Sequence, residues 1–215
     1  MAAGFDRVAA VYRLLERLAF GRQLERARFA HLGALRPCRH ILIVGDGDGR
    51  CLEMVLRVAP EATITSIDAS EAMQAMARRR VEAADAGARV TFERADIRTM
   101  PLPPAHYDAV LTMFVLDCFP PDEAAAVVGR LAAAVTAAGQ WLFADFAVPA
   151  RGWRRLHGRV QVALLYAFFR WQTGIGASAL PPSEALIDGW GFRCRDVQES
   201  RAGSIRSVWF GRPSA

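Results

Sequence analysis

From residue 38 to about 147 the chain alternates short apolar runs, rich in β-branched residues, with longer stretches whose apolar positions recur every three or four residues. The runs near 40–45, 62–68, 89–94, 107–113 and 140–146 predict strands, each apolar enough to lie in a sheet covered on both faces. The stretches between them predict helices. "SEAMQAMARRRVEAADAG" begins with Ser70 as an N-cap and stops at Gly87, while "PPDEAAAVVGRLAAAVTAAG" opens on proline and acids and stops at Gly139. Strand and helix in alternation predict βα units around a mostly parallel sheet, an α/β arrangement.

Two regions flank this core. Residues 5–35 set Phe5, Val8, Val11, Tyr12, Leu15 and Leu18 near helical spacing, with a break at Gly21, and predict one or two amphipathic helices forming an N-terminal cap. Further on, "WRRLHGRVQVALLYAFFRW" (153–171) aligns Trp153, Leu156, Val160, Leu164, Phe168 and Trp171 along one side of a helix. A "PP" turn at 181–182, a short helix to Gly191 and two β-like runs separated by "RAGS" predict a terminal hairpin. The whole reads as a single domain over 1–215: a cap over 1–37, a core over 38–147, and a lid helix with hairpin over 148–215.

Composition narrows the function classes. Hydrophobic residues make up 53% of the 215, enough for one full-sized core. No stretch approaches the length of a membrane span, and Asp6, Arg7, Arg13 and Glu16 interrupt the start where a signal peptide needs an apolar run, so a soluble, cytoplasmic protein is expected. Cys38, Cys51, Cys118 and Cys194 form no C-x-x-C pair and are expected to be buried thiols; His31, His40, His106 and His157 show no ligand spacing, and no metal is expected. The net charge is +5, yet all 27 basic residues are Arg and are spread along the chain, so nucleic acid is not the expected partner. The dense spot at Arg78 to Arg80 fits the solvated face of a helix.

One stretch calls for chemistry. "ILIVGDGDGR", residues 41–50, is a strand running into Gly45, Gly47 and Gly49; a strand, a glycine loop and a helix together bring backbone N–H groups and a positive helix end to a ligand. The spacing is G-x-G-x-G, followed by Arg50 and Cys51, rather than the G-x-G-x-x-G of dinucleotide sites. Asp46 and Asp48 in the loop would repel a doubly anionic pyrophosphate and suit a ligand carrying positive charge. A tight turn with no ligand would use the glycines as well. Asp68 closes the second strand, where a carboxylate either accepts from ribose hydroxyls or caps the next helix. Asp96, between Ala95 and Ile97, follows the third strand; it either accepts from an adenine amine or sits in a surface turn.

These motifs resemble the class I S-adenosylmethionine-dependent methyltransferases over most of the chain. "ILIVGDGDG" is similar to the family's glycine motif, "IDAS" with Met73 to its ribose motif, "ADI" to its adenine motif, and "YDAVLTMFVLDCF" to the strand and loop bordering the transferred methyl. "FDRVAAVYRLLERLAFG" is similar to the N-terminal cap of the quinone-biosynthesis C-methyltransferase branch. The resemblance implies a doubly wound, Rossmann-like α/β sheet of seven mostly parallel strands, with "IRSVWFGR" as an antiparallel last strand and an N-terminal helical cap. It implies S-adenosylmethionine as cofactor, held by Gly45, Asp46, Gly47, Asp48, Gly49, Asp68, Ala69, Met73, Ala95, Asp96, Ile97 and Met113. Tyr12 either closes over the methionine end from the cap or packs as core. The family carries an acid two residues before the first glycine; this chain has Ile43 there, which leaves Asp46 or Asp48 to take its role.

Methyl transfer is an in-line displacement at an activated carbon, so the protein's part is alignment and exclusion of water. An acceptor that must lose a proton needs a base. Asp117 in "FVLDCF" is the candidate, its alternative being a cap on the Phe-Pro-Pro turn. Asp145 either faces the cleft or caps the next element, and Cys118 is expected to pack. The helix over 153–171 reads as a lid over the substrate, a helix lying on a membrane surface, or packing on the sheet edge. Methyl transfer to a small, apolar or aromatic molecule is the expected activity, against two alternatives: donor binding without catalysis, and an NAD-linked oxidoreductase.

Overall fold

A computed structural model describes residues 22–147, 180–200 and 203–213. Five helices and seven strands lie within them: α1 (Gln23–Phe29), β1 (His40–Val44), α2 (Arg50–Val58), β2 (Thr63–Asp68), α3 (Glu71–Ala83), β3 (Val90–Arg94), β4 (Tyr107–Met113), α4 (Pro121–Ala134), β5 (Val135–Phe146), α5 (Ser183–Gly189), β6 (Arg193–Glu199) and β7 (Ile205–Gly211). The strands form one sheet in the order β3-β2-β1-β4-β5-β7-β6. β1 to β5 pair in parallel, and β7 runs antiparallel to both β5 and β6, so the predicted hairpin is present with its second strand inserted beside β5. The tight pattern at 5–18, with Tyr12, and the helix predicted over 153–171 lie outside the described residues.

Strand alternation divides the core between two faces. Ile41 and Ile43 of β1 pack with Leu52 and Val55 of α2, while Leu42 and Val44 pack on the opposite side with a cluster that includes Val127, Val128 and Leu131 of α4. Each such side chain, fully withdrawn from water, stabilises the fold by about 1.5–3 kcal/mol. Four of the five β1 residues are buried because β1 lies between β2 and β4, where the order of strands reverses. In an open α/β sheet the crevice beyond the carboxyl ends of the strands at that reversal is where ligands bind.

Several expectations are corrected. β3 is an edge strand, and none of its residues is buried, because among the described residues only β2 pairs with it. α3 starts at the Ser70 cap, whose Oγ accepts from Met73 N, but ends at Ala83; the left-handed turn after it is made by Asp85 (φ +51°) rather than Gly87. α4 starts on Pro121 as predicted and stops at Ala134, five residues before Gly139. Val135 and Thr136 are β-branched and enter β5 instead; the pairing with β4 then slips between Tyr107 and Ala109, and Gly139 fits there because a Cβ would lie 2.3 Å from Val135 Cγ1. Arg80 is half-buried against the glycine loop, and Arg78 lies over the Phe92 ring, so the basic triplet is only partly a solvated face. Cys38 and Cys51 are buried, Cys118 is half-buried and Cys194 is exposed; all four are free thiols. No helix among the described residues is long and apolar enough to cross a membrane.

Candidate functional site

The loop after β1 turns on three left-handed glycines, Gly45 (φ +66°), Gly47 (φ +68°) and Gly49 (φ +85°), and each meets a different neighbour. A Cβ on Gly45 would lie 2.3 Å from Val115 Cγ2, and one on Gly49 would lie 2.6 Å from the Cα of Ala77 in α3. On Gly47 it would meet only Met73 Sδ, at 3.9 Å. Two of the glycines therefore permit packing, and the third presents bare backbone to a cavity. Asp68 fixes that backbone: its Oδ2 accepts from Gly47 N (3.1 Å) and its Oδ1 from Ser70 N (2.9 Å).

The cavity measures about 190 Å³ and opens over the carboxyl ends of β1, β2, β3 and β4. Gly45, Asp46, Gly47, Asp48, Asp68, Ala69, Met73, Ala95, Asp96, Ile97 and Met113 line it. Gly49 does not, since it faces α3, and Asp117 does not either. Residues that sequence reasoning missed line it too: Arg28 from α1, Arg50, Arg98, and the apolar Phe114, Val115 and Phe119 beyond β4. Phe114 holds a left-handed backbone (φ +62°), an uncommon conformation for a bulky residue.

The loop acids are not a bare pair of charges, which corrects the electrostatic expectation. Asp48 is held by Arg50 Nε (3.0 Å) and by Arg80 Nη2 (3.4 Å), so its charge is compensated within the protein. Asp46 accepts from Leu52 N (3.1 Å), capping the first turn of α2. Burial pushes its carboxyl up to about 7, against the lowering effects of that amide and of Arg28. Asp96 is gripped by Arg98 through Nε (3.0 Å) and Nη2 (2.6 Å), and this pairing holds its carboxyl below the usual range. Arg98 is anchored in turn by Glu123 at the start of α4 (2.8 Å).

Asp117 and Asp145 form a buried carboxyl pair beside the cavity wall. Asp145 Oδ2 accepts from Asp117 N and its Oδ1 from Phe146 N, each at 3.0 Å, so it caps the short 3₁₀ turn Leu116–Cys118 from the end of β5. Burial and the neighbouring Asp117 charge drive the Asp145 carboxyl well above its ordinary value. Asp117 is pushed up to about 6, also by burial, and is eased downward by the hydrogen bond from Asp145. Asp145 therefore keeps the shared proton. Burial and the same two acids hold the Cys118 thiol protonated.

Comparison with known proteins bears on what such a cleft holds. Residues 41–139 match the family described as the methyltransferase domain. Over 150 residues the chain is 33% identical to the demethylmenaquinone methyltransferase of Thermus thermophilus, an alignment covering 69% of this chain and 66% of that protein. The chain belongs to the class I S-adenosylmethionine-dependent methyltransferases. Among solved structures, the mitomycin 7-O-methyltransferase MmcR aligns with 96% of this chain and 60% of its own at a TM-score of 0.69 and 19% identity. The N-methyltransferase NodS from Bradyrhizobium japonicum WM9, solved with S-adenosylhomocysteine, aligns with 89% and 88% at a TM-score of 0.64 and 16% identity. At those identities the two structures establish the shared fold. The chain spans 66% of the length of the Thermus methyltransferase.

The cleft of this methyltransferase fits the family's cofactor. Gly47 leaves open the space a side chain would take, the Asp68 carboxylate stands at the end of β2, and Ala95 and Ile97 give the β3 end of the cavity apolar walls. Ile43 points into the apolar cluster under α2, 1% exposed, and contributes no charge to the site.

Proposed function

We propose that the protein transfers a methyl group from S-adenosylmethionine to a small, apolar or aromatic acceptor. The observation that carries this reading is the Gly47 backbone, bare and tied to Asp68, at the floor of a cleft whose β4 side is apolar. When bound, S-adenosylmethionine supplies a methyl already activated by its sulfonium. The chain's own residues bind, orient and dry the site. Asp68 receives the ribose, Asp96 with Ala95 and Ile97 receives the adenine, and Phe114, Val115 and Phe119 exclude water on the side where an acceptor enters.

Asp117 is our candidate base for an acceptor that must lose a proton. Its carboxyl, raised to about 6 and held by a protonated Asp145, is ionised at neutral pH yet basic enough to accept a proton. The relative named for demethylmenaquinone and the neighbour named for mitomycin both act on small molecules, which supports that acceptor class. We place the reaction in the cytoplasm, where free thiols such as Cys38 and Cys51 persist.

Two measurements test the reading. Calorimetry should give saturable binding of S-adenosylmethionine and S-adenosylhomocysteine and none of NAD. Isotopically labelled donor, incubated with the protein and a small-molecule extract, should place label in an apolar product. Binding without transfer across such extracts would leave a donor-binding protein and sink the enzymatic part.

A further inference from the structure

The candidate base does not reach the cleft by itself. Asp117 is buried, and it and Leu116 are set back from the cavity, whereas Val115, Cys118 and Phe119 line it beyond β4. The turn sorts them. In a 3₁₀ turn successive side chains point about a third of a circle apart, so Leu116–Cys118 sends Asp117 inward and Cys118 to the cavity. Asp117 N donates to Asp145 Oδ2 (3.0 Å) and Cys118 N to Val115 O (3.1 Å), which fixes both residues through their backbone.

One atom joins the two sides. Cys118 Sγ lies 3.6 Å from Asp117 Oδ1, nearer than its other acceptor, Phe114 O, at 4.0 Å. A thiol is a weak donor, and of these two acceptors the ionised carboxylate is the stronger. Burial and the charges of Asp117, Asp145 and Asp68 keep the proton on the sulfur, so Cys118 is no nucleophile. It is a thiol that shares its proton with the carboxylate behind it. Its sulfur can also accept, and a hydroxyl in the cavity can donate to it.

We propose that Cys118 is the relay through which Asp117 takes the acceptor's proton. The proposal rests on the transfer reading above. The acceptor's electron pair forms the new bond to the methyl group and displaces the sulfonium, leaving S-adenosylhomocysteine. The acceptor's proton passes to Cys118 Sγ while the thiol's own proton passes to Asp117 Oδ1. Cys118 ends as it began, and Asp117 holds the proton until water removes it. Such a relay suits an acceptor whose reacting atom carries an acidic proton, a phenolic hydroxyl for example, and it keeps the carboxylate itself out of an apolar site.

Two measurements test the relay, one of them without an acceptor. In the infrared, the Cys118 S–H stretch, identified as the band lost in Cys118→Ser, should lie at lower frequency in wild type than in Asp117→Asn, because a carboxylate draws the thiol proton more strongly than an amide does. An unchanged band would overturn the relay. For transfer, the probe is methyl-labelled S-adenosylmethionine with the small-molecule extract, and calorimetry with S-adenosylhomocysteine reports that each variant is folded. Cys118→Ala should slow labelling by about 10²–10⁴-fold, as Asp117→Asn does, and the double variant should be no slower than either, since the two residues act as a unit. Cys118→Ser should recover part of the rate, because a hydroxyl can pass a proton and a methyl cannot. Losses that multiply in the double variant, or a serine variant no faster than the alanine one, would reduce Cys118 to packing. If Cys118→Ala does not bind S-adenosylhomocysteine, the infrared comparison decides. Wild type that binds S-adenosylhomocysteine and labels nothing overturns the transfer reading itself, and the relay with it.

Discussion

The three loop glycines, so alike in sequence, separate by what each would strike. Gly47→Ala places its Cβ in the cleft, so donor affinity should fall at least ten-fold, with a stability cost limited to the left-handed backbone, about 1–2 kcal/mol. Gly49→Ala adds a collision with the backbone of α3, and its total cost should reach about 2–5 kcal/mol. Melting curves and calorimetry on the two variants check this; a Gly49→Ala protein as stable as Gly47→Ala would contradict it. Asp46 offers a second test at this scale. Its folded carboxyl titrates near 7, above its unfolded value, with Arg28, Asp48 and Asp68 as the charged groups acting on it. The native state therefore holds a proton that the unfolded chain releases between about pH 4 and 7, and the corresponding stability is lost as pH rises through 7. Urea midpoints of wild type relative to Asp46→Asn should fall from pH 5 to 8; a flat difference would mean that Asp46 ionises normally. Asp117→Asn should lower turnover by about 10²–10⁴-fold and remove the limb of the pH–rate profile that rises through about 6, with donor affinity unchanged. Turnover within a few-fold of wild type would reduce Asp117 to a residue of its turn.

Among the elements, those legible in advance had local causes. Ser70 caps α3 because its own hydroxyl reaches an amide three residues on, and Pro121 starts α4 because its missing N–H is not needed there. The boundaries that moved were decided by distant partners. The Ala-rich run after Leu131 has a helical composition, yet Val135 pairs with Tyr107 across the sheet and draws the chain into β5. β3 reads as buried by composition and is half-exposed because, among the described residues, its outer edge has no strand beside it. α1 depends on the sheet in a way no window of sequence contains, since Ser207 Oγ of β7 donates to Ala27 O (2.8 Å) across 180 positions. Ser207→Ala should cost about 0.5–1.5 kcal/mol, raise hydrogen exchange across Gln23–Phe29 and weaken the donor several-fold while the β5–β7 pairing stays protected. Unchanged exchange in α1 would show that the bond to Ala27 is not what holds the helix.

Across the whole molecule, the glycine loop, Asp68 and Asp96 were legible because they end consecutive strands, and a parallel sheet brings such ends to one side. The arginines were not. Arg28, Arg80 and Arg98 look like surface charge in a chain whose 27 basic residues are all Arg, and only the fold turns them toward Asp46, Asp48 and Asp96. The Asp46–Asp48 pair shows the same limit: the sequence presents two acids in a loop, and the structure assigns one to an amide and the other to two arginines.

The antiparallel strand beside β5 also gives the protein a timetable. A domain generally folds as a unit, so the element made last decides when folding can finish during synthesis. Here β1 to β5 lie within the first 146 residues, whereas the Ser207 hydroxyl that fastens Ala27 of α1 is made 180 residues after its partner. A nascent chain halted before Ile205 should therefore lack both the strand that pairs with β5 and the bond from Ser207 to α1. Halted ribosome complexes should therefore retain S-adenosylhomocysteine only after β7 has been made, so that the enzyme loads its donor at the end of its own synthesis.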